Sequence, residues 1–314
     1  MKKRLFILLI ACLAKTAFAN GADRINLVLD WFINPDHAAI IVAQQQGFFK
    51  KYHLDVHIIE PTDPSLPPKL IATHQADIAI DYLTQLQMAV AQGLPLVRIA
   101  SLFNQPLSSL VVLDDGHIKT LADLKGKKIG HAISGFESVV LKTMLNHAGL
   151  TLNDVKMVNV NYELSPALLS KRVDAINGAF RNFEVNQLKL AGVKAKTFFP
   201  EQNGVPNYEE LVVICHKDQV NAPKFQRFVA ALNDATDYIK AHPQKAWQAF
   251  IGYNPALLNT PLNQLAWQDT IPYISPKPSK LNRADYQNFS AFLYKNHVIS
   301  HDLNVSEYTK DYAL

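Results

Sequence analysis

The feature that most restricts the fold is a rhythm of short apolar runs alternating with longer amphipathic stretches. Ile25-Asn26-Leu27-Val28-Leu29, Leu54–Ile59, Ile78-Ala79-Ile80 and Leu96–Ser101 have the length and apolar content of strands. Helical patterns separate them, at about Ala38–Phe49, around Lys69–Ala72 and over Leu83–Gln92. Gly47 followed by Lys50 and Lys51, and Gly93 after the third pattern, supply helix-stop signals. A βαβαβ order of this kind predicts an α/β fold with parallel strands and right-handed helical crossovers.

The rhythm repeats after the turn signal Asp114-Asp115-Gly116. Lys128-Ile129-Gly130, Met157–Val160 and Asp174–Asn177 read as strands, and Val139–Ala148 and Ala167–Ser170 as helices. Leu110–Leu113 and Leu211–Cys215 bracket this second series and read as two hinge strands. The expected organisation is therefore two α/β lobes. Residues 20–113 with 212–314 form the first lobe, and residues 114–211 form an inserted second lobe. The chain is helical from Pro223 onward, most clearly over Phe225–Ala241, and Pro272, Pro276 and Pro278 mark a loop. Hydrophobic residues at 48% and charged residues at 18% provide for cores and argue against disorder.

Residues 1–19 read as an export signal. Lys2, Lys3 and Arg4 precede the apolar run Leu5–Leu13, and Ala17-Phe18-Ala19 has the small-x-small pattern of a cleavage site. The alternative is a lipobox at Leu9-Ile10-Ala11-Cys12, with Cys12 lipidated. Residues 1–19 hold four of the 31 bases and no acid, so their loss leaves 27 bases against 27 acids. The basic pI belongs to that segment and gives no reason to expect nucleic-acid binding. Cleavage would leave Cys215 as the one cysteine, with no internal disulfide. The mature chain is expected to be periplasmic and monomeric.

Ligands of open α/β sheets bind beyond the carboxyl ends of strands, so the residues that follow each strand are the candidates. Asp30-Trp31-Phe32-Ile33-Asn34-Pro35-Asp36-His37 follows the first strand. It offers Trp31 as a stacking surface or as core packing, Asn34 at the cleft, and His37 as a ligand contact or a helix cap. Tyr82 follows the third strand, as a second cleft aromatic or as edge packing. Gly135 and Phe136, in Ser134–Ser138, open a helix whose free N–H groups suit an oxygen ligand, or form a plain capping loop. Phe180, Asn182 and Glu184 follow a strand of the second series. Glu184 could accept from an amino group or simply complement a helix dipole. Arg181 is the one arginine among these segments, which argues against a strongly anionic ligand. Tyr208 precedes the second hinge as a possible lid.

Several chemistries lack their residues. Lys125-Gly126-Lys127-Lys128 does not have the spacing of a phosphate loop, and no Gly-x-Gly-x-x-Gly or Gly-x-Ser-x-Gly occurs. The 11 histidines form neither His-Glu-x-x-His nor a Cys/His cluster. No metal, cofactor or catalytic residue is expected.

The chain resembles the thiamine-pyrimidine family. The similar segments are Leu29-Asp30-Trp31 with His37, Gln46–Lys50, Leu54-Asp55-Val56 and Glu60-Pro61-Thr62. They continue in Leu124–Gly130, Asp174-Ala175-Ile176, Ala235–Tyr238 and Ala246-Trp247. That family joins ABC-transporter binding proteins for thiamine pyrimidine precursors to hydroxymethylpyrimidine phosphate synthases. The resemblance implies a type II periplasmic-binding fold and a pyrimidine held between aromatics and an acid, at positions matching Trp31, Tyr82 and Glu184. It also implies an ABC permease as partner. The synthases are understood to use a lysine and a histidine four apart, where this chain has Asp81 and Gln85. They also carry a cysteine-rich segment, where this chain reads Gly204–Glu210 without cysteine. The resemblance thus favours a transport protein. A sulfonate, nitrate or flavin-precursor binder and a synthase-like enzyme are the alternatives.

Overall fold

The computed structural model describes residues 21–133, 136–312 and 314, the side chains of Phe136 and Glu137 aside. The export signal, Cys12 and Gly135 lie outside the described residues, as does the side chain of Phe136.

Among the described residues, ten strands form two five-stranded sheets. They are β1 (Asp23–Val28), β2 (Leu54–Ile59), β3 (Ile78–Asp81), β4 (Leu96–Ser101), β5 (Ser108–Leu113), β6 (Lys128–His131), β7 (Lys156–Asn159), β8 (Ala175–Phe180), β9 (Ala195–Phe198) and β10 (Val212–His216). The first sheet has the order β2-β1-β3-β10-β4 and the second β7-β6-β8-β5-β9. β1 runs parallel to β2 and β3, and β6 runs parallel to β7 and β8. The fourth strand of each order, β10 or β5, is antiparallel to both neighbours. In each lobe that strand is the first one built after the chain crosses from the other lobe.

This arrangement corrects the expected boundary. Ser108–Leu113 is a strand of the second sheet, so the outward crossing lies between Ser101 and Ser108 and not at Leu113. The apolar run Leu110–Leu113 signals burial, and burial alone does not say in which sheet. The helix expected over Ala38–Phe49 is also two pieces, Ala38–Gln45 and Phe48–Lys51. Gly47, at φ +73°, takes the left-handed conformation that ends the first and redirects the chain. β9 has no counterpart in the sequence reading, because Ala195–Phe198 is only half-buried.

Successive side chains of a strand face opposite sides of its sheet. Ile25 and Leu27 accordingly enter one apolar cluster and Val28 another. Both clusters continue into the second lobe, through Val111 in one and Leu110 and Val112 in the other. The helix Pro223–Ala241 packs on Ala38–Gln45 and Phe48–Lys51. Phe228 stacks on Phe49 at 5.2 Å there. The helix Pro261–Thr270 touches both the turn Pro35–His37 of the first lobe and the helix Glu184–Leu190 of the second. It therefore bridges the lobes on one side of the gap. Among the described residues no helix is long and apolar enough to cross a membrane.

Candidate functional site

The carboxyl ends of β1, β3 and β8 meet at one cleft between the lobes. The cleft holds about 630 Å³ of non-atom space, part of it open to solvent, and its lining includes Trp31, Tyr82, Phe180, Glu184 and Tyr208. Concave sites lined by aromatic side chains with a few polar groups are the usual setting for small-molecule ligands. The aromatic pair and the acid expected from strand position thus share one cavity.

The first wall is built on Asp30, which follows β1 and is buried. Its Oδ2 accepts from the Tyr82 hydroxyl at 2.9 Å and its Oδ1 contacts His37 Nε2 at 3.0 Å. The Asn34 backbone N–H donates to His37 Nδ1 at 3.3 Å. A nitrogen that accepts carries no proton, so the His37 proton sits on Nε2 and is donated to Asp30. His37 is fully buried, with both nitrogens engaged, and does not line the cleft. Its expected direct contact with ligand is corrected: it positions Asp30, which in turn orients Tyr82.

Asn34 caps the short turn Pro35–His37, its Oδ1 accepting from the Asp36 N–H at 2.7 Å. The cap turns the Asp36 carboxyl towards the second lobe. There Asn182 Nδ2 donates to Asp36 Oδ1 at 2.5 Å and to Thr270 Oγ1 at 2.7 Å. Asn182 lies behind the cleft lining, so its expected ligand contact becomes a tie between the lobes. Asn186 adds a second tie, donating to Asp269 at 2.8 Å.

The second wall carries Glu184, the first residue of its helix and only 6% exposed. The Phe180 N–H donates to its Oε2 at 2.7 Å. Burial pushes the Glu184 carboxyl up to about 8, with the nearby charge of Asp36 adding to the effect. Burial likewise pushes Asp36 and Glu210 up to about 7, and Asp81, just behind the wall, up to about 8. Removing a carboxylate from water without a cation favours its neutral form.

Tyr208 forms a fixed wall rather than the expected lid. It is 2% exposed, hydrogen-bonds to Glu210, and packs on Phe289 at 4.7 Å. Trp31 is 8% exposed and meets Tyr162 of the second lobe edge-on at 4.4 Å. The Tyr162 hydroxyl donates to the Pro61 carbonyl at 2.8 Å. Phe32 approaches Phe183 across the same gap at 5.9 Å. These contacts define a closed arrangement of the lobes.

Arg181 turns away from the cavity. It pairs with Glu201 through both terminal nitrogens, at 2.8 and 3.0 Å, and covers the Phe199 ring. The described lining holds four acids, Asp30, Asp36, Glu184 and Glu210, and no lysine, arginine or histidine. Sequence reasoning passed over Asp30, Asp36 and Glu210 as ligand groups. Asp30 and Asp36 lie in the loop it singled out after β1, so position was the available signal for those two.

Two lobes of this topology, with a cleft at their strand ends, have the fold of periplasmic binding proteins. The alkanesulfonate-binding protein SsuA from Xanthomonas axonopodis pv. citri, bound to MOPS, matches with a TM-score of 0.73 at 15% identity, covering 92% of this chain and 99% of that one. The nitrate-binding protein NrtA from Synechocystis PCC 6803 matches with a TM-score of 0.69 at 12% identity, covering 92% and 86%. Residues 34–246 match the family described as NMT1/THI5 like, and the chain belongs to that family. A Haemophilus influenzae protein named for thiamine biosynthesis is 54% identical over 286 residues, 91% of each chain. The formylaminopyrimidine-binding protein of Halalkalibacterium halodurans is 29% identical over 279 residues, 88% of this chain and 84% of that one. A 4-amino-5-hydroxymethyl-2-methylpyrimidine phosphate synthase of Saccharomyces cerevisiae, THI11, is 28% identical over 307 residues, 93% and 88%.

Proposed function

We propose that this chain is the solute-binding component of an ABC importer. Its ligand is an unphosphorylated thiamine pyrimidine precursor of the formylaminopyrimidine or hydroxymethylpyrimidine kind. The observation that carries the reading is the cleft itself: aromatic faces and four acids, with no cationic side chain among the described lining residues. Such a lining offers sulfonate, nitrate or phosphate no cationic partner and suits a flat, amine-bearing ring.

Glu184 supplies the specific contact. A protonated carboxyl offers one donor and one acceptor side by side. An aminopyrimidine edge offers the complement, a ring nitrogen that accepts and an amino group that donates. With its carboxyl raised to about 8, Glu184 brings the required proton at neutral pH. The name of the formylaminopyrimidine-binding relative supports the ligand class. The protein is exported by residues 1–19, works as a periplasmic monomer, and delivers its cargo to an inner-membrane permease.

The synthase names in the family raise the enzyme alternative. The position of the synthase lysine, by resemblance, is held here by Asp81, which is 1% exposed and has no amine with which to form a Schiff base. We therefore read the chain as a binder and not an enzyme.

Isothermal titration of the purified protein with both pyrimidines, methanesulfonate and nitrate tests this reading. The expected result is micromolar or tighter binding of a pyrimidine and no heat with either anion. Heat with an anion alone, or with none of the four, overturns it.

A further inference from the structure

The strongest unassigned constellation lies at the end of the first lobe opposite the cleft. β3 runs towards the cleft and β10 runs away from it, with Cys215 paired to Ile78. His74, shortly before β3, and His216, which ends β10, therefore meet at the far edge of the sheet. Asp218 joins them from the turn Lys217–Gln219. One ligand atom from each of the three lies within 4.8 Å of the others. His74 Nε2 is 3.6 Å from Asp218 Oδ2, and His216 Nδ1 is 2.6 Å from Asp218 Oδ1. The two imidazole rings are 3.9 Å apart, centroid to centroid.

We propose that His74, His216 and Asp218 form a site for a late first-row divalent ion of the zinc, copper or nickel class. Ligands about 2.0–2.1 Å from a tetrahedral ion stand about 3.4 Å from one another. His74 Nε2 is about that far from Asp218 Oδ2, and His216 Nδ1, which meets the other carboxylate oxygen, needs to open by less than 1 Å, so small side-chain rotations bring one atom of each residue onto a shared ion. Two imidazoles with one carboxylate select this class over magnesium and calcium, which take oxygen ligands. His74 and Asp218 are about half exposed, so the ion keeps open positions for water. None of the three side chains belongs to either apolar cluster.

Bound metal clips the turn after the helix Pro67–Ala72 to the end of β10, two segments far apart in the chain. Binding only the folded form raises its stability by mass action. The site is independent of the cleft and of the ligand proposed there.

The test titrates zinc, copper and nickel separately into the untagged full-length chain. Two variants are chosen to keep the backbone. His74 has φ +56°, a conformation asparagine tolerates, so His74→Asn removes the imidazole without strain. Without metal, His216 caps the following turn through Nδ1, a lone pair that a bound ion takes over, and His216→Asn keeps an acceptor for the cap. The expected result is one equivalent of at least one of these ions and a metal-dependent rise in Tm. Both variants weaken binding by at least about tenfold, with pyrimidine binding unchanged. In copper spectra the wild type shows two nitrogen ligands and each variant one. An unchanged equivalent in both variants, or no binding of any of the three ions, overturns the proposal.

Discussion

Glu209 and Glu210 are chain neighbours, both buried, and their surroundings differ in kind. Glu209 faces the hinge. Arg98 Nη2 lies 3.4 Å from its Oε2, the Tyr286 hydroxyl donates to the same oxygen at 2.6 Å, and the Ser101 hydroxyl donates to it as well. Arg98, itself fully buried, spends further donors on the carbonyl of Lys280 at 2.6 Å and on Ser101. Glu210 points into the cleft, where it meets Tyr208 and the Ser108 N–H, at 3.3 Å, but no close ion pair. One carboxylate is compensated inside the protein and holds the lobes' connection together. The other has hydrogen bonds but no cation paired with it, as have Asp36 and Glu184. A buried acid whose partner is missing is either neutral or waiting for a partner from outside.

Removing the compensation at the hinge should have the largest effect. Arg98→Ala strands Glu209 without its cation and is expected to lower stability by about 3–5 kcal/mol in urea unfolding. Pairing it with Glu209→Gln should recover much of that loss. A loss below about 1 kcal/mol for Arg98→Ala would break the contrast between the two acids.

In the cleft the same kind of change should act on ligand and not on fold. Glu184→Ala is expected to weaken pyrimidine binding about 100-fold, the size of a lost pair of neutral hydrogen bonds together with the partners left unpaired. Urea unfolding of the empty variant should show stability equal to or above wild type. Glu184→Gln presents the same donor–acceptor edge as a protonated carboxyl and should bind within about tenfold of wild type. Above pH 8 wild-type affinity should fall as Glu184 loses its proton, whereas the glutamine variant should stay flat. Equal loss in both variants would show that charge, not proton complementarity, holds the ligand.

The pH dependence of stability sharpens the comparison further. Asp36, Asp81, Glu184 and Glu210 have ordinary values of 3.8 or 4.5 and are raised by burial to about 7 or 8. Between those limits the folded protein keeps protons that the unfolded chain has released. Their stabilisation is complete below the ordinary values and is lost as pH rises towards 8. The Tm of the ligand-free protein should fall by at least about 5 °C from pH 5 to pH 8. The double variant Glu184→Gln, Glu210→Gln should reduce the fall, and an unchanged fall would place its origin in Asp36, Asp81 or groups outside the cleft.

The smallest effect is expected at the tie between lobes. Asn182→Ala removes the amide that bridges Asp36 and Thr270. It should cost about 1 kcal/mol in stability and shift small-angle scattering of the empty protein towards a more open form. Scattering identical to wild type would mean that the remaining contacts, such as Asn186 to Asp269 and Trp31 on Tyr162, suffice to hold the lobes closed.

Apolar periodicity and strand-tip position determined the α/β character, the two series of elements, and Trp31, Tyr82 and Glu184 as residues at strand ends. These are local properties, written in which side chains follow an apolar run. Tertiary structure alone decided that Ser108–Leu113 belongs to the second sheet, because pairing partners are chosen over long distances. It turned His37 and Asn182 from ligand contacts into supports, since a side chain's role depends on what its other atoms meet. It raised the carboxyls of Asp36 and Glu210, because burial comes from elements remote in the chain, such as the helix Pro261–Thr270 packed over the turn that carries Asp36. It also brought His74 to His216 and Asp218, a grouping no sequence spacing could disclose, because antiparallel pairing of β3 with β10 joins the start of one strand to the end of the other.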